Sequence, residues 1–333
     1  MKRPWLAALV PLYAAGAALR DVRIGQGWET VRRLQWPVIS VGNLSAGGAG
    51  KTPFTIALAQ LLKHQGFHVD VLSRGYGRTG DEPMRVRTEG TAREFGDEPL
   101  LIARQTGVPV YVAPRRHDAG LLAEKESGRQ DWGPAVHILD DGFQHRQLAR
   151  DVDIVLLSEA DLRDSLLPAG NLREPVRALR RAAVIALPVN EPSLAEKVRR
   201  FGWEGIVWRV SRCTKVPQID GPVAAFCGIA RPGQFFAELE VAGMRMAWKR
   251  AFKDHHPYTA EDMRELVKTG RQAGAKAFVT TEKDALRLGE LAKSLPPEIP
   301  LVTAPLRVEI QDAEAVAAWV SKQIANSSAQ KAL

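Results

Sequence analysis

Cysteine is scarce: 333 residues contain two, Cys213 and Cys227, and neither belongs to a paired motif or stands near a ligand cluster. That excludes a disulfide framework, gives a zinc site no support and fits a reducing, cytoplasmic compartment. A second candidate for metal, the adjacent His255 and His256, has no further ligands at metal spacing. The apolar run at residues 4–19 is interrupted by Pro11 and Gly16 and is shorter than the roughly 20 residues a spanning helix needs. No recognition module and no basic helix with interleaved aromatics accompanies the net charge of +8, so nucleic acid is not an expected partner. An Asn-Lys-x-Asp guanine motif is missing, and Thr281-Glu282-Lys283-Asp284 has the wrong spacing to replace it, which argues against a GTPase switch. There are no internal repeats and no low-complexity segments beyond a polar C-terminal tail.

What is present has ordinary globular composition, 45% hydrophobic and 25% charged, in a length that suggests two domains. The chain is organised around residues 37–73. Val38-Ile39-Ser40-Val41 reads as a strand, residues 45–52 as a glycine loop, and Phe54, Leu58, Leu61 and Leu62 recur at helical spacing after Pro53. Gly66 stops that helix before a second strand at residues 69–72. Such a strand-loop-helix unit is a phosphate cradle: backbone N–H groups and the helix dipole favour anions, the lysine reaches terminal phosphates, and the threonine hydroxyl can hold Mg²⁺. We therefore read Ser45, Ala46, Gly47, Gly48, Ala49, Gly50, Lys51 and Thr52 as a nucleoside-triphosphate site, although Ser45 stands where the general pattern has its first glycine.

Half of the excess positive charge lies in the first 33 residues, flanking the apolar run. Three readings of that run compete: a signal peptide, a buried N-terminal helix, and an interfacial anchor with Trp5 and Tyr13 near lipid headgroups. Export would strand a nucleotide loop outside the cell, so the anchor is preferred, and it is compatible with a packed helix. Residues 73–78, Ser-Arg-Gly-Tyr-Gly-Arg, form a loop at the carboxyl end of a strand, where ligands sit in open parallel sheets. Asp97 and Glu98 precede a helix and on their own read as caps of its start. A buried-strand run at residues 135–139 ends in Asp140-Asp141-Gly142, the placement a P-loop enzyme uses to bring a carboxylate near Mg²⁺. Strands alternating with helical segments predict a mostly parallel sheet.

Residues 206–210 and 216–219, separated by a polar turn, predict a β-hairpin linking two domains. A second α/β unit follows, with strands at residues 223–227, 246–252, 277–280 and 301–303 and no second P-loop. The expected division is 1–205 for a P-loop kinase-type domain with its N-terminal membrane helix, 206–221 for the linker, 222–325 for a smaller α/β domain and 326–333 for the tail.

Together, Ser-x-Gly-Gly-x-Gly-Lys-Thr-Pro at 45–53, the 73–78 loop, Gly-Asp-Glu-Pro at 96–99, Asp-Asp-Gly-Phe-Gln-His at 140–145, Leu-Pro-Ala-Gly-Asn-Leu-Arg-Glu-Pro at 167–175, Asp-His at 254–255 and Thr-Glu-Lys-Asp at 281–284 resemble the tetraacyldisaccharide 4'-kinase family over nearly the whole chain. In that family a serine-started loop is normal. The resemblance implies transfer of the γ-phosphoryl group of ATP, with Mg²⁺, to the 4'-hydroxyl of a tetraacyldisaccharide 1-phosphate, giving lipid IVA at the cytoplasmic face of the bacterial inner membrane. It also implies Asp97 as the base, tuned by His255, with Asp140 and Asp141 joining Thr52 around the metal. Arg74, Tyr76, Arg78, Gln144, His145, Asn171, Arg173 and Glu174 are then expected at the substrate, the arginines helping Lys51 to neutralise phosphoryl charge. A monomer is expected. The alternative from another class, a membrane-cycling P-loop ATPase of the partitioning type, lacks its signature lysine before Gly-Gly, where Ala46 stands.

Overall fold

The structure is a computed structural model that describes residues 3–48, 50–128, 133–216 and 218–332, with side chains through residue 327. Among the described residues the strands are β1 (Val38–Asn43), β2 (His68–Ser73), β3 (Met84–Arg85), β4 (Val110–Val112), β5 (Ala135–Asp140), β6 (Val152–Leu156), β7 (Val184–Pro188), β8 (Ile206–Thr214), β9 (Val223–Cys227), β10 (Met246–Ala251), β11 (Ala277–Thr280), β12 (Leu301–Thr303) and β13 (Leu306–Ile310). They form two sheets, one ordered β13-β8-β7-β6-β1-β5-β2-β4-β3 and the other β10-β9-β11-β12. The larger is parallel from β8 through β4, with β13 and β3 antiparallel at its edges; the smaller is parallel throughout. This is the α/β class with a mostly parallel sheet that the alternation predicts.

All six residues of β1 are buried, as befits a central parallel strand covered on both faces. The helix Lys51–His64 lies across it with Phe54, Leu58 and Leu62 on the buried side. Each such side chain, fully withdrawn from water, contributes about 1.5–3 kcal/mol of apolar burial. Gly66, at φ +82°, ends the helix and turns the chain into β2.

Among the described residues, which leave out Pro217 of the expected second strand, the hairpin expected within residues 206–221 does not form. β8 runs from Ile206 to Thr214 as a strand of the large sheet, pairing β7 on one side and β13, some ninety residues later, on the other. The chain therefore leaves the large sheet, builds the smaller one and returns. Val308, Val316, Val320 and Ile324 join the large core, and Trp208 meets Trp319 edge to face at 5.7 Å and stacks on Phe54 at 6.5 Å. The region expected as a single domain over 222–325 is thus divided: its last strand and helix pack on the first sheet. The expected tail at 326–333 also differs, since the helix Ala313–Ala332 runs through most of it.

Candidate active site

The carboxyl ends of β1, β2 and β5 point to one side of the large sheet, and the smaller unit faces them. At the end of β1 the Asn43 amide donates to Ser45 Oγ at 3.0 Å, and its carbonyl oxygen accepts from Lys51 Nζ at 3.0 Å. The loop is braced from the 167–175 segment, for Ala46 N–H donates to Asn171 O and Arg173 N–H to Leu44 O, both at 2.7 Å. Gly50 then adopts φ +80°, a left-handed conformation that costs glycine little, so that the helix can begin at Lys51. Ala49 lies outside the described residues. Gly48 faces Arg231, and Gly50 faces the guanidinium of Arg212, so the smaller unit and β8 place cations over the glycine loop.

Beyond β5 the two aspartates part company. Asp140 is buried and accepts from Thr55 Oγ1 at 3.0 Å. Its burial, reinforced by the charges of Glu98 and Asp141 against Lys51 and Lys283, pushes its carboxyl up to about 7. Asp141, at φ +49°, pairs with Arg173 at 3.1 Å and Lys51 at 3.5 Å. Although burial works against ionisation, these two cations hold it below the usual carboxylate range.

Asp97 and Glu98 occupy the first turn of the helix Asp97–Thr106, where anions are favoured. Gly96 before them has φ +89°, and a Cβ there would fall 2.9 Å from Tyr76 O, so glycine is required to set Asp97 against the 73–78 loop. Asp97 is 4% exposed, and its Oδ2 lies 3.4 Å from His255 Nδ1. His255 arrives from the smaller unit at φ +56°, its N–H bonded to Gly228 O at 3.1 Å and its ring 5.0 Å from Tyr76. Burial disfavours the Asp97 anion, but the His255 hydrogen bond, Arg287 and Lys283 outweigh it and hold the carboxyl far below its ordinary value. Conversely, the Asp97 hydrogen bond raises His255 above its ordinary value.

Lys51, Thr52, Glu98, Asp140, Asp141 and His255 line one cleft of about 860 Å³ that also includes Arg20, Arg74 and Arg116, whereas Asp97 is not among its lining residues. The model of the family described as Tetraacyldisaccharide-1-P 4'-kinase matches residues 2–325. The chain belongs to that family. A tetraacyldisaccharide 4'-kinase of Koribacter versatilis is 42% identical over 92% of this chain and 95% of its own length, and one of Aeromonas hydrophila is 40% identical over 87% and 86%. Among solved structures, LpxK from Aquifex aeolicus, described as an "apo" form in complex with ATP, superposes with a TM-score of 0.73 at 31% identity, covering 96% of this chain and 98% of that one.

In this kinase the residues expected at the substrate divide into two groups. Arg74, Tyr76, Gln144, His145 and Arg173 line the cleft. Burial among Arg116, Arg150, Arg20 and Arg74 drives His145 down to about 3, leaving it a neutral hydrogen-bonding ring. Arg78, Asn171 and Glu174 do not line it: Arg78 packs under Gly75, Asn171 donates to Asp164 at 2.8 Å, and Glu174 pairs with Arg181 at 2.6 Å. These three support the loops that carry their neighbours.

Several cleft residues of the kinase escape sequence reasoning. Arg116 is 7% exposed with Nε unbonded, and its burial near Arg74 brings it down to about 10. Glu98 carries a salt bridge to Lys283, whose Nζ also lies 3.4 Å from Thr52 Oγ1. Arg20 reaches in from the N-terminal helix to the Gln144 carbonyl. Glu98 and Lys283 belong to the Gly-Asp-Glu-Pro and Thr-Glu-Lys-Asp segments that the sequence singles out, but neither segment pointed these two side chains to the cleft.

Proposed function

We propose that the chain transfers the γ-phosphoryl group of ATP to the 4'-hydroxyl of a tetraacylated glucosamine disaccharide 1-phosphate, forming lipid IVA, with Lys51 on the terminal phosphates and Asp97 with His255 as the proton acceptor. One observation supports this most: the helix-start Lys51 and Thr52, the buried Asp140, and His255 line one cleft from two sheets, and the buried Asp97, outside that lining, lies 3.4 Å from His255 Nδ1. The O4'–Pγ bond forms as the bond from Pγ to the ADP oxygen breaks, and the hydroxyl proton passes to the Asp97–His255 pair. Held far down, Asp97 is ionised but weakly basic alone; coupled to a histidine titrating nearer working pH, it has somewhere to send the proton. Arg74, Arg116, Arg173, Arg212 and Arg231 spread positive charge around the phosphoryl oxygens.

Magnesium fits the residues present. Asp140 is made hard to ionise first by its burial and then by the charges of Glu98 and Asp141, an excess that a dication would relieve, and Thr52 stands beside Glu98's lysine partner at the helix start. Such an ion takes one or two carboxylates together with phosphate oxygens and water. Thr52 and Asp140 would hold it, with Asp141 orienting Lys51 and Arg173 beside it. When bound it would neutralise charge on the β- and γ-phosphates.

The N-terminal helix supports work at a membrane. Residues 4–25 form a helix long and apolar enough to cross by length and composition, and none of its most apolar stretch is buried. Trp5, Leu12 and Leu19 are 77%, 74% and 58% exposed, while Tyr13 OH donates to Arg173 O at 3.0 Å. The helix therefore offers an apolar face to lipid and touches the cleft with its other side, which suits an acylated, anionic substrate at the cytoplasmic face of the inner membrane. The test is transfer of labelled γ-phosphate to a disaccharide lipid in detergent micelles. Hydrolysis of ATP without labelled lipid would overturn the reading.

A further inference from the structure

The Thr281-Glu282-Lys283-Asp284 segment has no role in the chemistry just described, yet it opens the helix Glu282–Leu288 that faces Asp97. Thr281 caps this helix, its Oγ1 accepting from Asp284 N–H at 3.1 Å, and Glu282 is occupied by Arg307 at 2.8 Å. Lys283 and Arg287 stand four residues apart and so share one face. They meet two adjacent acids of the larger unit, Lys283 pairing with Glu98 and Arg287 with Asp97.

Arg287 is held more completely than an ion pair requires. Its Nε donates to Asp97 Oδ2 at 2.8 Å and its Nη2 to the same oxygen. Nη1 donates to Gly228 O at 2.6 Å and to Asp284 Oδ1 at 3.0 Å, and Nη2 lies 3.3 Å from His255 Nδ1. Four of the five N–H donors therefore have acceptors, and the fifth, on Nη2, faces the His255 ring. Asp284 is itself fully buried and fixed, its Oδ1 accepting from Gly228 N–H and Tyr258 OH at 3.0 Å each. A rigid fork anchored in the smaller unit thus touches both members of the proton-transfer pair, a geometry that a lysine point charge cannot reproduce.

We propose that Arg287, anchored by Asp284, is a positioning residue for proton transfer: it fixes Asp97 Oδ2 against His255 Nδ1 across the two units. This rests on the reading of Asp97 as the base. The groups facing Asp97 are Arg287, Lys283, His255 and Glu98; Asp254 and Tyr76 face His255, and Asp284 faces Arg287. Removing the guanidinium leaves a buried carboxylate with less positive charge around it, so ionisation is lost at a higher pH and the acid limb of kcat moves upward.

The full-length protein in micelles, with Arg287→Gln, Arg287→Lys and Asp97→Asn, tests this. Arg287→Gln should lower kcat on the order of 10- to 100-fold, hold KM for ATP within about twofold, and shift the acid limb to higher pH. Arg287→Lys should keep the limb near its wild-type place and recover only part of kcat. Wild-type kcat and limb in Arg287→Gln, or full kcat in Arg287→Lys, overturns the proposal. Should Arg287→Gln fail to bind ATP or to unfold cooperatively, Arg287→Lys decides alone. Near-normal turnover in Asp97→Asn would instead remove the base assignment, whereas an inactive Asp97→Asn beside unaffected Arg287 variants removes only the role of Arg287.

Discussion

Lys51 Nζ lies 3.5 Å from Asp141 Oδ1, and Arg173 holds the same carboxylate from the other side at 3.1 Å. The lysine that begins the P-loop helix is therefore aimed by a residue of the neighbouring strand's end. Its ammonium sits where the helix dipole and glycine loop also gather positive charge.

With Lys51 proposed on the terminal phosphates, Lys51→Ala is expected to remove a charge-assisted contact. Turnover should fall by a factor on the order of 10² or more in a protein that still unfolds cooperatively. Near-normal transfer of labelled phosphate would show that the lysine does not serve ATP.

A double-mutant cycle examines the shared proton transfer. Asp97→Ala, His255→Ala and the double variant should each lose similar activity, far from additively, with ATP affinity largely kept. Fully additive losses would separate the two residues.

Deleting residues 2–19 removes the exposed Trp5 and Leu12 but leaves the glycine loop intact. The truncated protein should leave washed membranes while still binding ATP. Unchanged partition would assign the helix to packing on the domain instead.

His137 offers a stability prediction away from the cleft. Fully buried and stacked 5.0 Å from Trp36, it bonds Asp70 at 2.6 Å through Nδ1 and Glu124 at 3.3 Å through Nε2. Burial alone would lower it, but the two carboxylates raise it to about 9. A raised pKa means the charged form stabilises the fold fully below the unfolded value near 6.5 and that this contribution fades as pH climbs through about 9. Thermal midpoints should therefore drop between about pH 6.5 and 9 in the wild type and drop less in His137→Gln. Parallel pH curves for the two proteins would contradict it.

Some of this molecule could be read from neighbouring residues alone. The run Val38-Ile39-Ser40-Val41, the glycine loop, Lys51-Thr52 and the apolar spacing of the next helix are all local signals, and they became β1, the cradle and the buried helix. Asp140 at a strand's end was legible for the same reason. Asp97 was ambiguous, because a carboxylate in a helix's first turn is favoured whether or not it has another task; Arg287, 190 residues away, is what distinguishes it.

Other features were decided only by the tertiary structure. A strand's edge shows which residues alternate but not which distant edge will satisfy its N–H and C=O groups, so β8 looked like half of a hairpin until β13 returned to pair with it. The C-terminal residues looked like a tail by composition, yet Val316, Val320 and Ile324 upstream hold the helix on the large core. Arg116, Arg212 and Arg287 carry no local mark in a chain rich in arginine. What singles them out is a buried or half-buried place in one cleft beside carboxylates, and that is a property of two sheets brought face to face.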